Sequence, residues 1–136
     1  MASDVSRSTR ADVARRARHR CEYCLIHEED TGFPHEIDHI ISRKHGGSSE
    51  SDNLALSCFP CNRNKGTDVA AIRVSGEALR FFDPRHDAWV EHFRLDGARI
   101  AAMSEIGAVT IRILRLNDLD RISERQALQA LSRYPR

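Results

Sequence analysis

Residues 58–66 read "CFPCNRNKG": a cysteine pair enclosing a proline, an asparagine directly after the second cysteine, and a lysine ahead of a glycine. Pro60 suits the first turn of a helix, where a missing N–H costs little, and Gly66 suits its end. The spacing predicts a short helix with Cys58 and Cys61 at its start. A second pair, "CEYC" at 21–24, lies 33 residues upstream. Two C-x-x-C pairs, one in a tight turn and one at a helix start, offer Zn2+ the four thiolates of a tetrahedral site. Such a site has no open coordination position, so its role is structural. The same pairs could hold one iron, hold an iron–sulfur cluster, or be plain buried thiols; the proline-led helix and the lack of any other redox feature favour zinc. In a reducing compartment this spacing points to metal and away from disulfides.

Between the pairs lies "HEIDHIISRKH" at 35–45. Its β-branched Ile37, Ile40 and Ile41 predict a short strand over about 35–42. The loop "RKHGGSSESD" is loosened by Gly46 and Gly47, and "NLALS" at 53–57 reads as a second strand or extended turn. Two short strands and a helix therefore bracket His39. Taken singly, these residues have ordinary readings. An Asp-His pair is commonly structural, Asn53 a turn or cap, Asn62 a polar group in the first helical turn, and Lys65 a helix-end cation.

In order, "CEYC", "IDHIISRKHGG", "DNLALSC" and "CNRNK" span about 45 residues, and together they resemble the HNH endonuclease family. Further on, "FFDPRHDAWVEHF" at 81–93 and "LDGARI" at 95–100 look like an extension carried by one group of bacterial HNH proteins. The resemblance implies an α+β fold: a ββα-metal HNH core on a treble-clef-like zinc knuckle, with an N-terminal helix and a C-terminal helix/hairpin extension. It also implies roles. His39 is the general base, since imidazole titrates near working pH. Asn53 accepts Nδ1–H of His39 and holds that tautomer. Asp38 and Asn62 offer hard oxygens to one divalent ion, Mg2+ or Mn2+. Lys65, Arg43, Lys44 and His35 are candidate phosphate or metal-assisting contacts. Asn62 stands where the family often has histidine, and Ser42 where a proline is common.

The rest of the chain reads as scaffold. Thr9 and Asp12 form a capping box for a helix over about 10–19, with Val13, Ala14 and Ala17 on its inner face. Pro84 opens a helix carrying Trp89, Val90 and Phe93; Asp96-Gly97 marks a hairpin turn. Ile106, Val109, Ile113 and Leu116 follow helical spacing, and Asn117 or Asp118 caps a last helix with Ile122, Leu128 and Leu131 inside. The expected organisation is one domain over 1–136, with a basic N-terminal helix (1–20), a zinc-clamped HNH core (21–66) and a scaffold extension (67–136).

Net charge is +1, but residues 1–20 carry six arginines against two acids, while 21–65 carry four basic and eight acidic side chains. That basic helix is either a solvated face or a DNA-gripping arm. No apolar run is long enough for a membrane span or a signal peptide, so the expectation is a cytoplasmic protein with no membrane partner. The expected function is metal-dependent hydrolysis of DNA phosphodiester bonds, with double-stranded DNA as partner. The alternative is a non-catalytic zinc-dependent nucleic-acid or protein-binding module with a relic HNH site.

Overall fold

A computed structural model describes residues 5–136; the first four residues of the basic arm lie outside the described residues. Helix α1 runs over Arg7–Arg16 and is capped by Ser6, whose hydroxyl accepts the Thr9 N–H at 3.1 Å. The expected Thr9 box is replaced by this earlier cap because Ser6 holds the extended backbone an N-cap requires. Val13 and Ala17 are buried against Leu54 and Leu56, with Ala14 beside them. Arg16 donates to the Leu54 carbonyl at 2.7 Å, so one arginine of the basic arm holds α1 to the core.

Strand β1 (Glu36–His39) pairs antiparallel with β2 (Leu54–Ser57), placing Glu36 opposite Ser57 and His39 opposite Leu54. Helix α2 (Phe59–Lys65) follows at once, with Pro60 in its first turn and Gly66 at its C-cap. β1 ends three residues before the expected Ser42. The Ile40 N–H turns to the Asn53 carbonyl and the Ile41 N–H to the Asn53 side chain, so the ladder gives way to a loop. Ahead of β1 the knuckle is a tight turn closed by an Arg20–His27 bridge and tied to β2 by a Glu22 N–H to Leu56 carbonyl bond of 2.9 Å.

Beyond the ββα unit come β3 (Ala70–Ile72) paired with β4 (Ala78–Arg80), α3 (Trp89–His92), a hairpin of β5 (Phe93–Asp96) and β6 (Arg99–Ala102), α4 (Glu105–Leu114) and α5 (Leu119–Ala130). The helix expected from Pro84 shrinks to the single turn α3. Phe93 belongs to β5, and Val90 is 74% exposed where burial was expected. The hairpin turn is Gly97-Ala98, one residue later than read, with Gly97 at φ 60° in the first central position, as a glycine-first two-residue turn requires. Ser104 caps α4 and Asp118 sits at the N-cap of α5. The inner face of α5 carries Arg121 and Arg125, both buried, while Leu131 is 68% exposed.

One apolar cluster unites the knuckle residues Cys21, Tyr23 and Cys24 with Phe82, Phe93, Ile100, Leu114 and Leu116 from the extension. Phe82 and Phe93 meet edge-on at 5.2 Å, and the Trp89 indole N–H donates to the Tyr23 carbonyl at 2.9 Å. Burying an aromatic or leucine side chain contributes roughly 1.5–3 kcal/mol each, so this shared cluster is the main force holding the extension to the ββα unit. Among the described residues no helix is long and apolar enough to cross a membrane.

Candidate metal centre and histidine site

The knuckle and the start of α2 bring Cys21, Cys24, Cys58 and Cys61 together, all buried, with their sulfurs within 4.8 Å of one another. Cys24 Sγ and Cys58 Sγ are 3.6 Å apart. Zinc–sulfur bonds of about 2.3 Å in a tetrahedron set sulfurs roughly 3.8 Å apart, so the cluster fits a zinc-sized ion. Backbone and side chain both serve the sulfurs: the Cys24 N–H points at Cys21 Sγ at 3.5 Å, and Arg121 Nη2 lies 3.0 Å from Cys61 Sγ and 3.7 Å from Cys58 Sγ. Hydrogen bonds with Cys21, Cys58 and Cys61 hold the Cys24 thiol well below its ordinary pKa, while hydrogen bonds with Cys21, Cys24 and Cys61 raise Cys58 and burial raises Cys61. Burial opposes the Arg121 charge, but the facing sulfurs outweigh it and hold the guanidinium firmly protonated.

Alternation along β1 sends residues 36 and 38 to one face and 37 and 39 to the other. Ile37 packs toward α1, whereas Asp38 points inward and is 3% exposed. Its Oδ2 accepts the Tyr23 hydroxyl at 2.6 Å and its Oδ1 the Lys65 ammonium at 3.1 Å. Burial raises the Asp38 carboxyl pKa against the pull of Lys65 and Tyr23, and burial, followed by the charge of Asp38, pushes the Tyr23 phenol well up. Lys65 Nζ also reaches the His39 and Ile40 carbonyls, both at 3.2 Å. The structure places both of these expected site groups in the interior. Each Asp38 oxygen meets an interior partner. Lys65, 2% exposed, clamps Asp38 and the chain around His39.

Asn62 is half-buried on α2 and its Nδ2 donates to Glu36 Oε1 at 2.8 Å. The carboxylate beside Asn62 is therefore Glu36, two residues before the expected one. His35 is buried, with Nε2 3.0 Å from the Ile26 carbonyl. It faces the knuckle.

His39 sits half-buried at the end of β1, its Nε2 3.0 Å from Ser49 Oγ. Among the described residues no hydrogen bond reaches its Nδ1. Asn53 does not hold the imidazole as expected; its amide fixes the loop that follows. Oδ1 accepts the Ile41 N–H at 2.9 Å, and Nδ2 donates to the Ile41 carbonyl at 2.9 Å and the Ser48 carbonyl at 2.7 Å. Gly47 completes this closure: a Cβ there would lie 1.7 Å from the Ile41 oxygen and 2.8 Å from Asn53 Nδ2. Ser49 is thereby carried back to His39 at the far end of the loop. Arg43, Lys44 and His45 form an exposed single turn on the same loop.

Residues 21–68 match a family model described as HNH endonuclease. That segment is an HNH domain. Searches of curated proteins and of solved structures found no match. The HNH domain comprises the four cysteines, β1, the Asn53 loop, β2 and α2, and ends before β3. Arg121 therefore reaches the sulfurs from outside the HNH domain. Sequence reasoning missed Tyr23, Glu36, Ser49 and Arg121. Strict alternation along "EIDH" could have separated Asp38 from His39 and paired it with Glu36. No sequence signal distinguishes Ser49 from its serine neighbours.

Proposed function

We propose that the HNH domain is a metal-dependent endonuclease acting on DNA, with His39 as general base. The observation that carries this reading is the held histidine. Nε2 is engaged by Ser49 on a loop that Asn53 closes with three hydrogen bonds, while Nδ1 has no protein partner among the described residues. With Nε2–H given to the serine, Nδ1 bears the lone pair that takes a proton from the attacking water. Lys65 fixes the backbone on both sides of this step through the His39 and Ile40 carbonyls. Asn53 is thus a positioning residue, and Arg43 and Lys44 are the exposed cations nearest in the chain for phosphate.

The four cysteines are read as a structural zinc site. The second, catalytic ion of the family, Mg2+ or Mn2+, does not fit Asp38 as the chain is folded; Asn62, with Glu36 at its side, is the oxygen-bearing pair left near the surface. Such an ion supplies positive charge for the phosphate and the departing 3′ oxygen when it is bound. A second reading, a non-catalytic zinc module that binds nucleic acid or protein, is favoured by one observation: the acidic residue of the Asp-His pair is neutralised in the interior by Lys65 and Tyr23.

A supercoiled-plasmid nicking assay with Mg2+, Mn2+ or EDTA separates the two readings. The nuclease reading expects nicking by wild type in metal, none in EDTA, and none by His39→Ala despite an unchanged zinc content. Equal cutting by both proteins, or by neither, leaves the binding module.

A further inference from the structure

A four-thiolate zinc centre carries two negative charges in excess of its ion, because four thiolates outweigh Zn2+. Burying that charge is costly unless cations and N–H donors face it. Within the HNH domain the donors to sulfur among the described residues are sparse: the Cys24 N–H reaches Cys21 Sγ at 3.5 Å. The nearer contact comes from α5. Arg121 is 7% exposed, its Nη2 lies 3.0 Å from Cys61 Sγ and 3.7 Å from Cys58 Sγ, and its Nη1 donates to the Leu114 and Arg115 carbonyls at 2.8 and 3.2 Å. Those carbonyls belong to the C-terminal end of α4. They orient the guanidinium as a fork with one arm on backbone and the other on sulfur, and a fixed fork loses little freedom when it binds.

We infer that α5 completes the zinc centre: Arg121 is the counter-cation and hydrogen-bond donor for the Cys58–Cys61 pair, and the HNH domain depends on the extension to hold its metal. This rests on the four cysteines holding zinc and is independent of the nuclease reading. Arg125, one turn further along α5, provides the internal control. It is 2% exposed and equally a buried arginine, but its guanidinium serves the Ala98 and Leu116 carbonyls and the Asn117 side chain, and touches no sulfur among the described residues. Direct hydrogen bonding at sulfur is therefore separable from mere burial of a guanidinium on this helix.

The consequence is chemical as well as energetic. An N–H donor on a coordinating sulfur draws off part of its charge, so the Cys58–Cys61 pair holds the ion against a chelator strong enough to strip it otherwise. Loss of outer-shell donors of this kind typically lowers metal affinity by about 10–100-fold.

The test is zinc competition on the full chain. Wild type, Arg121→Met, Arg121→Lys and Arg125→Met are loaded with one equivalent of zinc and titrated with a chromogenic chelator, with circular dichroism recording the fold at each point. Zinc affinity should fall by about 10–100-fold in Arg121→Met, recover in part in Arg121→Lys, which keeps a charge and a donor, and stay within about threefold of wild type in Arg125→Met. If Arg121→Met is folded and holds zinc as wild type does, or if Arg125→Met loses as much affinity, Arg121 is only a packing residue and the inference is wrong. A second measurement covers the case in which Arg121→Met fails to fold. Arg121→Gln, which keeps an N–H donor but no charge, is then titrated beside wild type, and zinc affinity within about threefold of wild type in that folded protein likewise overturns it. Wild type that binds no zinc at all refutes the zinc reading itself, an outcome distinct from both.

Discussion

Replacing Lys65 by methionine should be among the most damaging single changes outside the cysteines. Lys65 is 2% exposed and its ammonium makes three contacts, to Asp38 Oδ1 and to the His39 and Ile40 carbonyls. Methionine matches the length of the stem but strands a carboxylate that is itself 3% exposed, along with two carbonyls. Breaking a buried pair from one side typically costs about 3–5 kcal/mol, most of it the penalty of the charge left behind. The Tyr23 hydroxyl still donates to Asp38, so the lower half of that range is expected, with the carboxyl taking up a proton to escape the charge. In urea, with a slope of about 1.5 kcal/mol per molar, the midpoint should drop by roughly 2 M. Trp89 is a built-in reporter because its indole bonds the Tyr23 carbonyl next to this triad. The decisive comparison is Lys65→Met/Asp38→Asn against the single variants. Removing the stranded charge should recover part of the loss, giving a coupling energy of about 1–3 kcal/mol. A midpoint within about 0.5 M of wild type for Lys65→Met, or strict additivity in the double variant, would refute the interior pairing of Asp38 and return it to the list of exposed ion ligands.

Asn53→Ala removes three hydrogen bonds from the histidine loop, and because Asn53 is half-buried the stability cost should stay near 1–2 kcal/mol. Amide exchange should speed up selectively over residues 41–49, nicking should be lost, and zinc content should not change. Gly47→Ala should do the same through the opposite cause, since its methyl would displace the Ile41 carbonyl; unchanged exchange in that loop would contradict the closure described. Arg80 hydrogen bonds hold the Asp87 carboxyl below the usual aspartate range. A lowered carboxyl contributes stability above the ordinary aspartate pKa, near 3.9, and that contribution disappears as pH falls through the folded value. Asp87→Asn should therefore flatten the acid limb of a urea-midpoint against pH curve, by less than about 1 kcal/mol because Arg80 is half-exposed; an unchanged limb would rule the pair out as a source of acid sensitivity.

How far the chain could be read from its letters depended on where each residue's partner lies. The cysteine pairs, the Pro60 helix start and the two apolar strands are local signals, and the ββα unit they predict is the one found, down to Gly66 at the end of α2. The surroundings of Asp38 are not legible next to His39, because adjacent strand residues point apart and the partners of Asp38 come from 15 and 27 residues away. Asn53 was assigned to the imidazole when the nearer backbone of Ile41 and Ser48 took its amide. The β3–β4 hairpin went unread because alanine-rich three-residue strands carry little pattern, although Ser75-Gly76 at its turn is an ordinary signal. On α5 the inward face is Arg121 and Arg125 beside Leu128, and arginine is a residue whose default is solvent, so of the expected inner residues Leu128 packs on the core while Leu131 is exposed. Only the sulfurs and carbonyls opposite explain Arg121 and Arg125, and those become visible once the chain is folded.

The apolar cluster that joins the knuckle to Phe82, Phe93, Ile100, Leu114 and Leu116 bears on how this module can be borrowed. A fragment excised at residue 68 would keep every motif of the family and yet carry an open wound where those side chains had lain, with Tyr23 and the cysteine turn facing water. Grafted into another protein, it would need a host surface of matching shape before it could fold. The transferable unit of this chain is therefore larger than its recognisable signature.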